Sequence, residues 1–460
     1  MATSEDQPQQ PEQPGQSEPS EPSQEPRQPP RHQSRPLARP LTRRGVQEAH
    51  ELIKPYIHQT PVITSTTLSS IASQPQTHEA LLHSSGTNDP SVEPVNPPRI
   101  NIFFKCENFQ KIGAFKVRGA FHALARLSDA QLAKGVVTHS SGNHAQALAL
   151  AARTRGVKAY IVMPSISTPS KIAATRAQGA DIIFSGSTAD EREAVVKEVI
   201  ERTGAYLVPP YDHPDIVLGQ GTLALELEKQ VEDLLRSRKN NGSGGAEQQE
   251  QQHPHLDAVI APCGGGGMLA GVATAFSGTG TLVFGAEPSF QGADDATRSL
   301  STGTRIDTVR SLTIADGLRT PLGVIPWSII SNPAKVRGIY SVSEDEIKAA
   351  MRLVVERLKV WVEPSAVVGV AVALFDEGFR RVLAEEAERK VKEGRGTGEI
   401  NLGVVLSGGN TTLEAVGGLF SAAAKATVGR GAEGGKGWKV EREQGVVGKD
   451  GKKTAENVAG

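Results

Sequence analysis

The sequence has few cysteines, few aromatic residues and almost no net charge, and each shortage excludes a class of protein. Its 460 residues include two cysteines, Cys106 and Cys263, too few for a disulfide framework or a four-ligand zinc site and typical of a reducing compartment. Aromatic residues make up 4%, and 50 Lys and Arg balance 51 Asp and Glu, so neither base stacking nor overall charge favours nucleic acid. The longest apolar run, residues 366–375, is about half a membrane span. We therefore expect no nucleic acid and no membrane among the partners.

Four segments have a composition that cannot bury a core. Residues 1–44 are almost entirely Pro, Gln, Glu, Ser and Arg, and residues 426–460 are rich in Gly, Lys and Glu, so both ends are predicted to be disordered tails. Similar stretches at 73–99 and 236–255 are predicted to be surface insertions, since the cost of closing a loop grows slowly with its length.

The N-terminal region also bears on location. It has no apolar stretch of the kind that directs secretion. Six arginines and no acidic residue between Arg27 and Arg44 weakly resemble a transit peptide, but glutamates precede them. We expect a cytoplasmic protein, with mitochondrial import as a minor alternative.

Between the tails, residues 45–425 alternate β-branched runs with helical patterns. The run VVTH precedes the helical AQALALAA, and the run LDAVI precedes AGVATAF. Buried parallel strands are continuous apolar runs, and connections of this length accommodate crossover helices. The pattern predicts an α/β fold with open, mainly parallel sheets, in which ligands bind beyond the carboxyl ends of the strands.

Four consecutive glycines follow the strand LDAVIAP and precede a helical pattern. Glycine lets backbone amides turn toward one point, and a helix N-terminus adds partial positive charge, so the segment suits a phosphate. It matches neither the dinucleotide fingerprint nor the P-loop, which favours a phosphate-bearing cofactor other than a nucleotide. A flexible linker is the alternative. The four residues are Gly264, Gly265, Gly266 and Gly267.

Two further turns also join a predicted strand to a predicted helix. The first puts small polar residues and exposed amides at a helix N-terminus, which suits a carboxylate, although an ordinary helix cap has the same composition. This turn comprises Ser140, Ser141, Gly142, Asn143 and His144. The second turn, around Ser407, follows the strand NLGVV and is unremarkable by itself.

Lys116 lies between Phe115 and small residues at the predicted start of a helix. Partial desolvation there would lower the pKa of its amine and make it more nucleophilic. A solvated helix lysine is the alternative, and Lys116 alone does not decide between the two.

Seven motifs, taken in order, give these turns a common meaning. They are FKCENFQKIGAFKVRGA, THSSGNHAQALA, APCGGGGMLAG, GAEPSFQGADD, ADGLRT, VEPSAVVGVAV and VLSGGN. Over about 45–425 the sequence resembles the fold-type II pyridoxal-phosphate enzymes, in the branch of the serine racemases and serine/threonine dehydratases. The resemblance implies a tryptophan synthase beta-like fold of two α/β domains. Residues 45–133 and 210–425 would form the large domain and 134–209 a small mobile one, with the cofactor in the cleft between them.

The resemblance also implies a role for each turn. Lys116 would bind pyridoxal 5'-phosphate covalently and act as base at the substrate Cα, while Ser141 would exchange the proton on the opposite face. The turn of Ser140, Ser141, Gly142, Asn143 and His144 would hold the substrate carboxylate. The other cofactor contacts would be Phe115 and Asn143 at the ring, Ser407 at the pyridine nitrogen, and Gly264, Gly265, Gly266, Gly267 and Met268 at the phosphate. Because Ala145 stands where racemases usually have Gly, we expect both racemisation and dehydration.

Two further sites are implied by the resemblance. Glu287, Asp295 and the Ala293 carbonyl would bind Mg²⁺, Mn²⁺ or Ca²⁺. Between Glu287 and Asp295 this sequence has two more residues than is usual in the family that it resembles, so a solvated acidic loop is the alternative. ATP would bind as an effector at the interface of a homodimer, through Lys111, Gln146, Lys359 and Asn410.

We therefore expect an enzyme that racemises serine and eliminates water from L-serine or L-threonine, giving pyruvate or 2-oxobutanoate plus ammonia. Two alternatives stay open. One is a threo-3-hydroxyaspartate ammonia-lyase, in which Arg319 would select the second carboxylate. The other is a non-catalytic protein that binds pyridoxal phosphate or senses amino acids.

Overall fold

Two sheets form the framework of the protein in a computed structural model that describes residues 40–77, 94–242 and 255–427. The strands in chain order are β1 (Val62–Thr64), β2 (Ile100–Cys106), β3 (Val136–His139), β4 (Ala159–Pro164), β5 (Asp181–Ser185), β6 (Tyr206–Leu207), β7 (Ala258–Pro262), β8 (Leu282–Pro288), β9 (Gly338–Val342) and β10 (Ile400–Leu406). Six form one sheet in the order β1-β2-β10-β7-β8-β9, and four form the other in the order β5-β4-β3-β6. Every pair is parallel except β1 with β2. The predicted α/β fold with open, mainly parallel sheets is confirmed.

Fifteen α-helices in the same ranges connect or cover the strands. In chain order they are α1 (Arg43–Ile53), α2 (Thr66–Ala72), α3 (Lys116–Ala125), α4 (Asp129–Leu132), α5 (Asn143–Thr154), α6 (Pro169–Ala177), α7 (Ala189–Thr203), α8 (Pro214–Gly242), α9 (Gly267–Ala275), α10 (Asp295–Thr302), α11 (Val324–Ile330), α12 (Glu344–Leu353), α13 (Val368–Phe375), α14 (Glu377–Lys392) and α15 (Leu413–Thr427). Several join one parallel strand to the next, as crossover connections must.

The central strands of the six-stranded sheet are mostly apolar and buried, as strands covered on both faces must be. All five residues of β7 are buried, and β10 runs in register with β2 from Ile400 beside Ile100. The apolar run noted in the sequence contains helix α13, which packs against β7, β8 and β10. No helix in the described ranges combines the length and the apolarity needed to cross a membrane. Since β2, β7 and β10 are parallel neighbours, the turns that follow them lie at one edge of the sheet.

The four-stranded sheet comes entirely from residues 136–207. Its strand β3 is the sequence VVTH, and the turn after it leads into α5. Helix α5 packs against α3, whose first residue is Lys116. The turn after β3 therefore belongs to the small sheet but lies next to the helix that carries Lys116.

Some boundaries differ from those predicted by composition. Helix α1 begins at Arg43, inside the predicted tail, because the Thr42 side chain caps it and Val46 and Ala49 are buried. Helix α8 continues to Gly242, into the predicted insertion at 236–255. Residues 73–77 and 94–99 of the first predicted insertion are also described, and the Gln76 side chain there donates to the Phe375 carbonyl at 2.6 Å. The remaining parts of the predicted tails and insertions, residues 1–39, 78–93, 243–254 and 428–460, lie outside the described residues.

A buried group of charged side chains anchors α3. The Arg118 guanidinium donates to Glu107 at 2.7 and 2.8 Å and to Glu226 at 2.8 Å, and Lys105 donates to Glu226 at 2.7 Å. Each of the four residues is at most 4% exposed. Because two cations face two carboxylates, the group is neutral overall. Arg118 lies two residues after Lys116, so these ion pairs hold the start of α3 against β2 and α8.

Candidate active site

Lys116 is the first residue of α3 and is half-buried as a residue. The amine donates to the Pro210 carbonyl at 2.8 Å and lies 5.2 Å from the centre of the Phe115 ring. No carboxylate in the described ranges forms an ion pair with it, and burial lowers its pKa to about 8. A substantial fraction of this amine is therefore uncharged near neutral pH, as a nucleophile or a base requires.

The glycine loop between β7 and α9 has no room for side chains. A Cβ on Gly264 would lie 2.9 Å from the Leu318 Cα, and one on Gly265 would lie 2.4 Å from the Tyr211 ring. Gly266 has a φ of +82°, which favours glycine. No acceptor in the described part of the protein pairs with the amides of Gly264, Gly265 and Gly266. A row of unpaired amides followed by the N-terminus of α9 has the chemistry of a phosphate site.

The rest of that loop supports the same arrangement. Gly267 begins α9, and Met268, the second residue of the helix, is 5% exposed and packs in the core. Tyr211 also lies against Gly267, since a Cβ there would be 3.0 Å from the Tyr211 Cβ. Neither Tyr211 nor Pro210 was identified in the sequence. Tyr211 is missed because its importance comes from packing on the loop, and Pro210 because it acts through its backbone.

The turn after β3 opens onto free space. A Cβ on Gly142 would meet nothing within 4 Å, and the Gly142 amide donates only a long hydrogen bond, 3.3 Å, to the Ser140 hydroxyl. The Ser141 hydroxyl makes no hydrogen bond to any described residue. An open turn at the N-terminus of α5 can accept a small anion, and Ser141 keeps a free hydroxyl there.

His144 is buried and uncharged. Its Nε2–H donates to the Val208 carbonyl at 3.1 Å, and its Nδ1 has no partner among the described residues. Burial, followed by the charge of Lys116, lowers its pKa to about 3. The turn therefore offers dipoles, not a cation, to a carboxylate.

The turn after β10 is joined to the segment that precedes Lys116. The Phe115 amide donates to the Ser407 carbonyl at 3.1 Å, and the Gly409 amide donates to the Gly113 carbonyl at 2.9 Å. Ser407 is 4% exposed, and its hydroxyl makes no hydrogen bond to a described residue. These contacts fix Ser407 relative to Lys116 by way of the backbone.

Asn143 links the two sheets. Its Nδ2 donates to the Glu363 carboxyl at 2.9 Å, and its Oδ1 accepts from the side-chain amide (Nδ2) of Asn410 at 2.7 Å. Glu363 comes from the motif VEPSAVVGVAV, but no pattern in that motif assigns it a role. The structure thus brings together Lys116, Asn143, Ser407 and the glycine loop, together with a buried carboxyl that the sequence does not reveal.

The proposed cation ligands are buried, so the solvated-loop alternative is wrong. Glu287 and Asp295 are both 0% exposed. Glu287 accepts from the Ala296 and Thr297 amides, and Asp295 Oδ2 accepts from the Leu322 amide at 2.9 Å. Asp295 Oδ1 is buried without a partner in the described ranges. Burial raises the pKa of Asp295 to about 6, and burial together with the Asp295 charge raises that of Glu287 well above its usual range.

Ala293 precedes α10 in the loop that carries the two extra residues. Gln291 and Gly292 in that loop have φ values of 51° and 76°, so the backbone turns sharply between the two carboxylates. Two carboxylates and a carbonyl are hard oxygen ligands of the kind that Mg²⁺ and Ca²⁺ prefer. No group of three or more His, Cys, Asp or Glu suited to a metal occurs in the described ranges.

The four residues suggested for ATP are only partly brought together. Helix α5, which carries Gln146, packs on the turn that begins with Lys111. Asn410 is close to both elements, because its side-chain amide donates hydrogen bonds to Asn143 of α5 and to the Ile112 carbonyl of that turn. Lys359 lies on a separate turn with a φ of 63°, and no hydrogen bond or ion pair among the described residues connects it to the other three.

Arg319 is exposed, and two of its three guanidinium nitrogens donate to its own loop. Its Nε donates to the Thr313 carbonyl at 2.9 Å, and Nη2 donates to the Thr313 and Leu312 carbonyls. The side chain therefore stabilises its own loop. This arrangement weakens the basis for a hydroxyaspartate-specific pocket.

Comparison with known proteins agrees with this geometry. A family model described as pyridoxal-phosphate dependent enzyme matches residues 92–388. The chain belongs to this family. A serine racemase from Arabidopsis thaliana is 38% identical over 371 residues, which cover 80% of this chain and 93% of the relative. This enzyme therefore lies in the branch of the serine racemases and serine/threonine dehydratases.

Solved structures show the same fold. The serine racemase of Dictyostelium discoideum aligns with a TM-score of 0.62 at 36% identity, covering 81% of this chain and 99% of that one. A threonine deaminase from T.th. aligns with a TM-score of 0.59 at 35% identity, with the same coverage. The fold of this pyridoxal-phosphate enzyme is thus shared by racemases and deaminases.

Proposed function

We propose that this enzyme racemises serine and eliminates water from L-serine and L-threonine, giving pyruvate or 2-oxobutanoate plus ammonia. The observation that carries the proposal is the Lys116 amine. Burial lowers its pKa to about 8, and its one hydrogen-bond partner among the described residues is the Pro210 carbonyl, next to Tyr211, which packs on the glycine loop. The similar serine racemases and threonine deaminase indicate the substrate class.

The residues present fit pyridoxal phosphate. The unpaired amides of Gly264, Gly265 and Gly266, with Gly267 and Met268 at the start of α9, would bind the phosphate. Phe115 would pack on the ring, Asn143 would donate to the ring oxygen, and Ser407 would face the pyridine nitrogen. The bound cofactor withdraws electrons from the substrate Cα. A serine hydroxyl opposite the nitrogen moderates that withdrawal, which favours loss of a β-hydroxyl or rapid return of a proton.

Two side chains would move the Cα proton. Lys116, whose pKa is lowered by burial, would take it on one face. Ser141, whose hydroxyl has no partner among the described residues, would exchange it on the other. Racemisation needs both groups, whereas elimination from the L-isomer needs only the lysine.

The substrate carboxylate would bind to the amides from Ser140 to His144 at the start of α5. Because His144 stays neutral, the carboxylate would be held by oriented N–H groups and not by an ion pair. Residues 134–209 would move as the small domain and exclude water on closing. The Lys171 amine, on α6 of that segment, already reaches the Asp316 carboxylate at 2.6 Å, which is a contact that closure would use.

A panel of three substrates tests the function. The purified enzyme with pyridoxal phosphate is incubated with L-serine, L-threonine and L-threo-3-hydroxyaspartate, and both oxo acid and D-isomer are measured. We expect oxo acid from serine and threonine and D-serine from L-serine. Product from hydroxyaspartate alone would establish the alternative lyase, and no product from any of the three would refute the proposal.

A pair of adjacent variants tests the role of Ser141. Ser141→Ala should abolish D-serine formation and spare elimination from L-serine. Ser140→Ala is the matched control, since it removes a hydroxyl from the same turn and should slow both reactions alike. Equal loss of both reactions in Ser141→Ala would contradict the two-face assignment.

We also propose that Glu287, Asp295 and the Ala293 carbonyl bind a divalent cation, Mg²⁺, Mn²⁺ or Ca²⁺. The support is the pair of buried carboxylates and Asp295 Oδ1, which has no partner in the described ranges. A bound cation would compensate the negative charge of the two buried carboxylates. It would also tie the loop that precedes α10 to β8.

A homodimer is proposed from exposed apolar side chains near the site. Phe109 is 50% exposed, Trp361 38% and Leu413 73%. The Asn108 side chain donates to the Trp361 carbonyl, so Phe109 and Trp361 are on adjoining turns. Sedimentation should give a dimer that Leu413→Lys weakens; a wild-type monomer would contradict this.

ATP is proposed as an effector that binds through Lys111, Gln146, Asn410 and Lys359. The support is the packing of α5 on the turn of Lys111. ATP should raise the rate of pyruvate formation in the wild type and not in Lys111→Ala, with the exposed Lys392→Ala, on helix α14, as control. Equal activation in both variants would contradict the site.

A cytoplasmic location is proposed from the two thiols. Cys106 and Cys263 are free and buried, which suits a reducing compartment. Fractionation of cells that express the tagged protein should recover it in the cytosol; recovery in mitochondria would favour the import alternative.

A further inference from the structure

The side chain of Asn143 is held at both of its ends. Its Nδ2 donates to Glu363 Oε1 at 2.9 Å, and its Oδ1 accepts from Asn410 Nδ2 at 2.7 Å. The two ends of a carboxamide are opposite in character, since one only donates and the other only accepts. The partners of Asn143 therefore decide which end faces the proposed cofactor.

A backbone carbonyl fixes the direction of this chain of hydrogen bonds. Asn410 Nδ2 lies 2.8 Å from the Ile112 carbonyl, which can only accept, so the atom that faces it must be the amide nitrogen. The same nitrogen then donates to Asn143 Oδ1, which leaves Asn143 Nδ2 toward Glu363. Ile112 has a φ of 59°, an uncommon conformation for a β-branched residue, and such conformations concentrate at functional sites.

Glu363 is a buried carboxyl that forms no ion pair within the described ranges. It is 5% exposed, its amide donates to the Gly408 carbonyl at 3.1 Å, and a Cβ on Gly408 would lie 2.7 Å from its Oε1. The charged groups that act on it are Asp316 and Lys171, which pair with each other at 2.6 Å.

The environment of Glu363 favours its neutral form. Burial, followed by the charge of Asp316, raises its pKa to about 8. At neutral pH the side chain therefore serves Asn143 mainly as an uncharged acceptor. A buried polar group of this kind is costly unless it makes specific hydrogen bonds, and its side chain accepts them from the Asn143 side chain and the Asn410 backbone amide.

The geometry points to Glu363 and Asn410 as positioning residues that lock the Asn143 amide, so that its second N–H is available to the cofactor ring oxygen. The inference rests on the proposed pyridoxal-phosphate site. The Asn143 nitrogen carries two N–H groups, and Glu363 uses one of them. If the amide turned over, it would present an oxygen to the ring oxygen, and two acceptors repel.

Two variants of nearly equal size separate the bond from the charge. Glu363→Gln keeps an acceptor for Asn143 and removes the ionisable group, whereas Glu363→Met removes both. In the full-length enzyme we expect Glu363→Gln to bind pyridoxal phosphate within about twofold of wild type, with the same visible absorbance. Glu363→Met should bind it about tenfold more weakly, with a shifted absorbance maximum, because the donor to the ring oxygen is no longer fixed.

A double-mutant cycle shows whether Glu363 acts through Asn143. In the Asn143→Ala background, Glu363→Met should weaken cofactor binding no further. A further loss of about tenfold there would overturn the inference, and so would wild-type affinity and absorbance in Glu363→Met. Equal defects in the Gln and Met variants would also overturn it, since they would show that the charge, not the acceptor, matters.

Asn410→Leu gives the same test from the other end if Glu363→Met does not fold. It removes the donor to Asn143 Oδ1 on a half-buried turn and should produce the same shift in absorbance. An unchanged spectrum in Asn410→Leu would overturn the inference. Binding of pyridoxal phosphate by the wild type is measured first, because its absence would refute the proposed function itself and not only the lock on Asn143.

Discussion

The Lys116 amine should titrate near pH 8 before any cofactor is added. Burial lowers its pKa from 10.5 to about 8, and its partner is the Pro210 carbonyl, a dipole and not a carboxylate. At about pH 7.5 a pKa of about 8 leaves roughly a quarter of such amines uncharged, whereas an ordinary lysine leaves about one in a thousand. The nucleophilic fraction of Lys116 is therefore about 200-fold larger than that of an unperturbed lysine.

Pulse labelling with acetic anhydride measures this directly in the cofactor-free protein. Only the uncharged amine reacts, so the labelling rate of Lys116, followed by peptide mass spectrometry, should reach half its maximum near pH 8 and level off above about pH 9. Lys158 provides an internal control in the same digest. Its amine is exposed, and a hydrogen bond to Asp181 and the charge of Asp181 raise its pKa, so its labelling should keep rising past about pH 10.

A Lys116 profile that rises in parallel with that of Lys158 would refute the reasoning, because burial would then have no effect on the amine. Addition of pyridoxal phosphate should protect Lys116 from the reagent and leave Lys158 unchanged. Protection of neither residue would leave the low pKa intact but contradict the proposed covalent site.

Three further outcomes test the packing and the ligand sites. Arg118→Met should lower the free energy of unfolding in urea by about 3–5 kcal/mol, because the buried Glu107 loses its ion-pair partner and Glu226 loses one of its two. The half-exposed Arg389→Met should change it by less than about 1 kcal/mol, and similar losses in the two variants would contradict this. Gly265→Ala should weaken binding of pyridoxal phosphate by about tenfold or more, since the new Cβ would lie 2.4 Å from the Tyr211 ring. Gly417→Ala, which has open space around it, is the control and should leave binding unchanged. Mg²⁺ should raise the melting temperature of the wild type and not of Asp295→Asn; an equal rise in both would place the cation elsewhere.

Local patterns account for what the sequence predicts well. The run VVTH predicts β3 at the residues where it occurs, because a buried parallel strand needs a continuous apolar run. The glycine loop is also predictable, since a strand, four glycines and a helix leave few other conformations. Boundaries are less predictable: α8 extends to Gly242 through polar residues, because a helix already anchored by packing tolerates a polar end.

Long-range contacts account for what the sequence does not predict. Glu363 and Asn143 are 220 residues apart, so no spacing rule connects them. Pro210 acts through its carbonyl, which every residue has, so the identity of its side chain carries no signal. Arg319 differs from these two because its hydrogen bonds within the described ranges are local: Nε and Nη2 donate to carbonyls six and seven residues earlier, which the residue types alone do not predict.

The electrostatics of the site favour groups without net charge. Burial moves Lys116, His144 and Glu363 toward their neutral forms, with pKa values of about 8, 3 and 8. The proposed ligands are anions, a phosphate and a carboxylate, so their binding would depend on oriented amides at the starts of α9 and α5. Fixed dipoles of this kind leave the lysine free of a permanent counter-ion. It can therefore bind the cofactor and exchange a proton without first breaking a salt bridge.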